Sequence, residues 1–345
     1  MKSIFRFGVI FCLLVLILGY WLVFGNGTAF TEKNQYLMVT EETVANYGIS
    51  TAIKEPSLLK FPMVLGWLIS LNGGDKKIKL GKYEIKNGQS LWSISRMLKN
   101  GRQAEINLVI NRIRLKEDLA KLIGSKFESD SLKVMHYLQS TDSLKKWGVD
   151  TSNIFTIILP NTYTYYWNSS IDKIFQKLFD ANQKFWNEQD RLNKATALGF
   201  STEQVYILAS IVDEETNYDT DKSKIASVYI NRLQQQMPLQ ACPTIKYAMK
   251  DFSLTRIYEK YLSNPSPYNT YRKKGLPPGP ICTPSKKTID LVLNAPKTDY
   301  LFFVAKSDFS GYHHFSSNYK EHDSFAKEYQ KALNLYTAEK QAKKN

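Results

Sequence analysis

The sequence predicts an α+β protein behind a single N-terminal transmembrane helix, with a small αβ module ahead of a larger mixed α+β domain. Three observations predict it. An uncharged, strongly apolar run extends from Phe7 to Phe24, and no charge follows until Glu32. Between Gly81 and Leu98 an alternating stretch, an Asn-Gly turn and a helical period follow one another. From Ile171 helical periods dominate, and they give way to an alternating stretch near the C-terminus.

The first run comprises 18 residues. At ~1.5 Å per residue it spans ~27 Å, about the hydrocarbon thickness of a bilayer. Lys2 and Arg6 stand at its start, which keeps a short N-terminus cytoplasmic and sends the rest across. Tyr20 and Trp21 lie where an interfacial aromatic belt forms. A cleaved signal peptide is the competing reading. Against it, the apolar run is longer than a usual signal core, and no small-x-small cleavage site follows Trp21.

Composition narrows the class. The 345 residues are 43% apolar, and Gly and Pro together fill only 29 positions, which excludes a disordered, collagenous or fibrous chain. The net charge of +14 becomes +12 once Lys2 and Arg6 are set aside. A basic exported part has anionic lipid and wall carboxylates as natural partners and no nucleic acid to meet. Three cysteines make no disulfide scaffold, and no Cys/His spacing fits a metal site, so no metal or cofactor is expected.

Within the module, Tyr83 and Ile85 alternate as in a strand, Asn87-Gly88 signals a turn, and Ser90 caps a helix whose apolar face is Leu91, Ile94, Met97 and Leu98. This pattern resembles a LysM-type module, over about residues 79–103, and is equally compatible with any small αβ packing unit. Leu159-Pro160-Asn161-Thr162-Tyr163 reads as an extended entry into a new domain, followed by a helix from about Ile171 to Trp186. Nine of the twelve prolines fall between Pro238 and Pro296, marking a long ordered loop region of the kind that presents polar side chains to a ligand.

Ser201-Thr-Glu-Gln204 forms a capping box for a helix with Leu208, Ile211 and Val212 in one stripe. Glu215 falls on the same stripe, while Asp213 and Glu214 point elsewhere. A carboxyl group on a buried face has its pKa raised and holds its proton near neutral pH, as a general acid must. The plain alternative is a Glu215 that emerges at the helix end beside a lysine. A second helix follows from about Thr220, with Ile225, Val228, Tyr229 and Leu233 on its apolar face.

The order of motifs adds to this. Leu-Ala-Ser-Ile-Val-Asp-Glu-Glu-Thr ending at Thr216, Tyr-Ile-Asn-Arg-Leu ending at Leu233, Pro-Leu-Gln ending at Gln240, Pro243-Thr244, Tyr268-Asn-Thr-Tyr271 and Gly275-Leu-Pro-Pro-Gly-Pro-Ile281 resemble the MltG (YceG-like) family of membrane-anchored endolytic murein transglycosylases. The resemblance implies a lyase that cleaves the MurNAc–GlcNAc bond within nascent glycan strands, leaves 1,6-anhydroMurNAc ends and so terminates strand elongation. It implies no cofactor, and peptidoglycan synthases as partners. The expected location is the cell (inner) membrane, single-pass, with the catalytic domain on the extracytoplasmic (periplasmic) side.

The implied organisation is an anchor at 1–25, a membrane-proximal region at 26–150 containing the LysM-like module, a YceG-like catalytic domain at 151–339 and a frayed basic tail at 340–345. The second acid of the family's Glu-x-Glu-Thr corresponds to Glu215, the implied catalytic residue. Asp213 departs from the first, which puts a role for position 213 in doubt. Tyr268, Asn269, Thr270, Gln240 and Asn231 match motif positions implied to bind the saccharide, with loop-building as the alternative for each. His313 and Phe315 match the family's Gly-x-His-x-Phe at the second strand of a C-terminal hairpin; a strand histidine that only satisfies its neighbours is the preferred reading.

Two other functions remain open at this level. One is a lysozyme-like muramidase with Asp213 or Asp219 as second carboxylate, since hydrolytic glycosidases generally use two. The other is a non-catalytic anchored scaffold that binds peptidoglycan. Cys242 and Cys282 sit in proline-containing motif loops, where either a bridge across the site or two separate buried thiols fits the sequence.

Overall fold

The computed structural model describes residues 2–41, 58–71, 73–74, 78–254 and 256–342. The chain folds as two compact units. The first comprises 1–108, 126–129 and 164–170, and the second the remaining residues. The division between the units falls near residue 108, and two short later segments belong to the first unit.

In the first unit, helix α1 (Lys2–Phe24) has a mean hydropathy of 2.7 over Arg6–Phe24, and that stretch is not buried within the protein. It is the one helix among the described residues long and apolar enough to cross a membrane. Its C-terminal end meets aromatic rings, with Trp21 edge-on to Phe61 at 6.1 Å and Phe24 beside Trp92 at 5.8 Å. Strand β1 (Asn34–Val39) pairs antiparallel with β2 (Gly81–Lys86), Val39 opposite Gly81. Helices α2 (Pro62–Leu71) and α3 (Leu91–Asn100) pack with this pair.

The alternation expected in β2 is present, with Tyr83 and Ile85 fully buried. Ser90 Oγ accepts the Ser93 N–H at 3.3 Å and starts α3. Gly101, at φ +65°, ends it in the left-handed conformation, where a side chain is strained. Leu91, Ile94 and Leu98 close the core; Met97 only flanks it. The partner of β2 lies some fifty residues upstream, a pairing that no local pattern announces.

Strands β3 (Glu105–Ile110) and β4 (Asn161–Tyr166) form a second two-stranded sheet. In the second unit, α4 (Lys116–Gly124), α5 (Ser131–Gln139) and α6 (Thr141–Lys145) precede a short 3-10 turn at Ile154–Ile157. Then come α7 (Ile171–Asn187), α8 (Arg191–Ala197), α9 (Thr202–Glu215) and α10 (Asp219–Gln234). Short helices α11 (Cys242–Met249) and α12 (Glu259–Leu262) punctuate the proline-rich region before α13 (Lys286–Leu293). The expected hairpin follows as β5 (Phe302–Ala305) and β6 (His313–Ser316), and α14 (Tyr319–Ala342) runs into the stretch expected to fray. Residues 343–345 of that tail lie outside the described residues.

Helix α9 is the centre of this unit. Both halves of its capping box form, Ser201 Oγ accepting from Gln204 N at 3.1 Å and Gln204 Oε1 accepting from Ser201 N at 2.9 Å. Every residue from Val205 to Asp213 is buried, so the helix is enclosed on all sides and not along one stripe. Helices α10 and α13 pack against it and against each other. Leu159 and Ile281 contribute to the same core from flanking loops. Burying each of Leu208, Ile211 and Val212 removes a side chain from water, worth about 1.5–3 kcal/mol apiece. A helix so confined fixes the direction of whatever its last turn carries.

Candidate active site

The last turn of α9 carries three consecutive carboxyl groups, Asp213, Glu214 and Glu215, before Thr216 leaves in extended backbone at φ −152°. The C-terminal pole of a helix is negative, so carboxylates there need compensation. Successive residues turn by about 100° around the axis, and each acid meets a different neighbour.

Asp213 is 3% exposed and its oxygens are fully engaged. Lys222 Nζ lies 2.6 Å from Oδ1, Arg112 Nη2 lies 3.0 Å from Oδ2, and Thr288 Oγ1 also donates to Oδ1. Burial alone would raise its pKa, but the bonds from Lys222 and Thr288 and the charges of Lys222 and Arg112 bring it below the usual carboxylate range. Removing one member of such a buried cluster costs about 3–5 kcal/mol, because the others stay behind uncompensated. Glu214 receives Arg114 in two parallel bonds, Nε to Oε1 at 3.0 Å and Nη2 to Oε2 at 2.8 Å.

Glu215 has no ion pair among the described residues. The Tyr229 hydroxyl, on the facing side of α10, donates to its Oε1 at 2.5 Å. Desolvation pushes the carboxyl up to about 7, further raised by the Glu214 charge; the Tyr229 bond and the Lys246 charge pull the other way without overcoming it. The residue keeps partial solvent exposure, so it is reachable. A group with this pKa is about half protonated at pH 7, the condition that suits both giving and taking a proton. Cys242, Lys246 and Tyr271 lie close enough to be felt electrostatically at this carboxyl or to feel it.

The loops beside it are held by the polar residues of the sequence motifs. Asn269 is wholly buried. Its Nδ2 donates to the carbonyls of Leu262 and Asn264 at 2.9 and 2.7 Å, and its Oδ1 accepts from Tyr271 N at 3.0 Å. Thr270 is 1% exposed, and its Oγ1 accepts from Ala241 N at 3.0 Å. Asn231 Nδ2 donates to the carbonyls of Thr298 and Tyr300, both at 2.9 Å. Gln240 is exposed at a positive φ of +54°; its Oε1 accepts from Arg232 Nη1 at 3.2 Å. Tyr268 is half-buried, its ring 4.7 Å from that of Tyr247, and both line a cavity of about 360 Å³ with Phe155, Ser152, Lys116 and Lys250. In Pro278-Gly279-Pro280 the backbone passes so close to Ser152 that a Cβ on Gly279 would lie 2.0 Å from its carbonyl oxygen.

A model of the YceG-like family matches residues 39–328. The chain belongs to the YceG-like family. It is 27% identical over 300 residues to a Bacillus subtilis protein named endolytic murein transglycosylase, covering 81% of each chain. It is 30% identical over 170 residues to a Streptococcus pneumoniae protein of the same name, a match spanning 48% of this chain and 30% of that one. A crystal structure of a YceG-like protein from Listeria monocytogenes shares the fold, with a TM-score of 0.54 at 24% identity over 85% of this chain and 99% of that one.

In this YceG-like protein several side chains at the site escape sequence reading. Tyr229 belongs to the apolar face of its helix by period, yet its hydroxyl is the direct partner of Glu215. Arg112 and Arg114, a hundred residues upstream, neutralise the two other acids. Arg232 clamps the Pro238–Gln240 loop, bonding the Pro238 and Leu239 carbonyls at 3.1 and 3.0 Å. The Cys242–Cys282 bridge does not form: Cys242 is exposed with Sγ 3.1 Å from the Tyr271 hydroxyl, whereas Cys282 is buried with Sγ 3.4 Å from the Ser210 carbonyl. Cys242 opens α11 and Cys282 packs against α9, so the two thiols serve different walls. His313 is fixed by Asp221 Oδ2, which accepts both its backbone N–H, at 2.7 Å, and its Nδ1, at 3.0 Å. Among the described residues no three His, Cys, Asp or Glu side chains gather as metal ligands.

The raised pKa of Glu215 makes stability depend on pH. Below about 4.5 the group is protonated folded or unfolded and has no effect; between 4.5 and 7 the unfolded chain ionises first, and above 7 the full penalty applies. Glu215→Gln removes that penalty. The stability of the variant relative to wild type should therefore rise between pH 5 and pH 8, by up to about 3 kcal/mol, in paired denaturant titrations. A difference that stays flat with pH would mean that the carboxyl is not desolvated.

Proposed function

We propose that this protein is a membrane-anchored endolytic lytic transglycosylase of peptidoglycan, with Glu215 as the single group that gives and then takes the proton. The observation that carries the reading is one reachable carboxyl poised near pH 7 while its two neighbours are locked by cations. The names of the Bacillus and Streptococcus relatives support the same chemistry.

Protonated Glu215 donates to the glycosidic oxygen between N-acetylmuramic acid and N-acetylglucosamine as the C1–O bond breaks. The carboxylate left behind accepts the proton of the C6 hydroxyl of the same muramic acid, and O6 attacks C1. The products are a 1,6-anhydroMurNAc end and a free C4 hydroxyl, so no water is consumed and Glu215 ends protonated again. Tyr229 steadies the carboxylate in the half of the cycle when it is charged. A muramidase would need a second carboxylate, and Asp213 is spent on Lys222, Arg112 and Thr288, while Asp219 pairs with Lys287.

Tyr268 and Gln240, which keep exposed surface, are the motif residues suited to touch the glycan. Asn269, Thr270 and Asn231 support it by holding the loop backbones. The strand–turn–helix around residues 79–103 adds a LysM-like hold on the strand, and the basic exported part is drawn to wall carboxylates. Helix α1 confines cutting to the periplasmic face of the inner membrane, where strands are made beside their synthases and where cleavage ends elongation.

The full-length protein in detergent, given uncrosslinked glycan strands, should yield internal cuts whose ends lack one water by mass spectrometry. Reducing ends would instead make it a hydrolase. Glu215→Gln should lose ~10²–10⁴-fold in rate while remaining folded. Asp213→Asn should lower the melting temperature yet leave the rate per folded molecule within about tenfold; equal losses at 213 and 215 would revive a two-carboxylate mechanism.

The pH profile follows from the proton donor. kcat/KM should fall as pH rises through about 7, where Glu215 loses its proton. Tyr229→Phe deletes a donor that stabilises the carboxylate, so the alkaline limb should move to higher pH. An unmoved or lowered limb would remove Glu215 from the acid role.

The anchor has a direct check. The mature protein should keep its N-terminus through α1, and sequencing that begins near Asn26 would show a cleaved signal instead.

A further inference from the structure

Two tyrosines lie on the surface just past Glu215. Tyr218 and Tyr312 are 40% and 38% exposed, and their rings stack with centroids 4.1 Å apart and planes 23° from parallel. Tyr218 follows Glu215 by three residues, and three residues of extended chain reach at most about 10 Å, the scale of one or two pyranose units. Tyr312 arrives from the β5–β6 hairpin, more than ninety residues later in the chain.

The pair is held rigidly. Gly311, at φ +81°, lets the backbone pass under Tyr218, where a Cβ would come within 2.9 Å of Cε2. Asp221, 4% exposed in the first turn of α10, takes the backbone N–H and Nδ1 of His313, so the residue after Tyr312 is bolted to the helix that Tyr218 opens. The Tyr218 carbonyl accepts from Asp221 N and Lys222 N, at 3.1 and 2.9 Å. The hairpin also reaches the partner of the acid: Phe303 stands edge-on to His313 at 5.4 Å and to Tyr229 at 5.8 Å.

We infer that the stacked Tyr218–Tyr312 pair is a platform for a pyranose ring of the glycan strand, flanking the bond that Glu215 cleaves. This rests on the transglycosylase reading. A pyranose in the peptidoglycan backbone has equatorial substituents and a face of axial C–H groups, and that apolar face is matched by the flat face of an aromatic ring. A pair already stacked and pinned loses little conformational freedom on binding, so more of the contact appears as affinity. The observation that selects this occupant is continuity with Glu215 along one short, ordered segment of chain.

The test uses the full-length protein in detergent. On uncrosslinked strands, Tyr218→Ala and Tyr312→Ala should raise KM about tenfold with kcat within about threefold, and Tyr→Phe at either position should restore wild-type KM, because the ring face acts and not the hydroxyl. In a Glu215→Gln background, chitohexaose should bind the alanine variants about tenfold more weakly than the parent; this arm reads the platform whether or not the enzyme forms anhydro ends. Tyr312→Trp should report the same binding as a change in tryptophan emission. KM and chitohexaose affinity within twofold of the parent in folded alanine variants, equal losses with phenylalanine, or an emission insensitive to chitohexaose would each overturn the platform. Failure of the product analysis with intact loss of binding would overturn the transglycosylase reading and leave the saccharide site standing.

Discussion

Three carboxyl groups at the negative end of a helix buried on every face from Val205 to Asp213 are the constraint around which the second unit is arranged. Helix α9 cannot turn or slide to relieve them, because Val205 to Asp213 are packed on every face. Each acid therefore needs its own solution in place. Asp213 and Glu214 are solved by cations from two stretches, Arg112 and Arg114 from a hundred residues upstream and Lys222 from the next helix. Glu215 is given a phenol, which bonds the carboxylate without cancelling its charge. That difference between a cation and a phenol separates two structural anions from one titratable acid.

The helix that supplies the phenol also organises the approach to the acid. Asp221 and Lys222 lie in its first turns, Tyr229 further along and Asn231 and Arg232 near its end; Asp221 reaches the hairpin, Lys222 and Tyr229 reach α9, and Asn231 and Arg232 reach the 298–301 segment. Through these contacts α10 ties the C-terminal hairpin, the Pro238–Gln240 loop and α9 into one scaffold. Backbone carbonyls in irregular segments must find donors when they are covered, and Asn231, Arg232 and Asn269 supply them. The side-chain amides of Asn231 and Asn269 donate to these carbonyls within the protein.

How much of this was legible in the sequence varies with the range of the interaction involved. The capping box of α9, the buried stripe through Leu208, Ile211 and Val212, the strand at Tyr83 and Ile85 and the hairpin of residues 302–316 follow from local periods and turn chemistry, which act within a few residues. The prominence of Glu215 was also readable, because a carboxyl in register with an apolar stripe stands out against its neighbours. The order of short motifs pointed to the YceG-like family for a related reason: their spacing survives as linear information.

What tertiary structure alone decided is every pairing across long stretches of chain. Tyr229 scans as core, and nothing local says that its hydroxyl ends 2.5 Å from Glu215. Arg112 and Arg114 belong to none of the sequence motifs, yet they hold acids a hundred residues on. Cys242 and Cys282 sit in similar proline loops and still face different neighbours, so the bridge that sequence allowed is absent. Tyr218 and Tyr312 are ordinary tyrosines until the hairpin brings them face to face. Sequence determined the capping box and apolar stripe of α9, the strand at Tyr83 and Ile85, the C-terminal hairpin and the register of Glu215, because those depend on residues close along the chain; the partners and surroundings of that carboxyl depend on what folding brings beside it, and only the tertiary structure holds that.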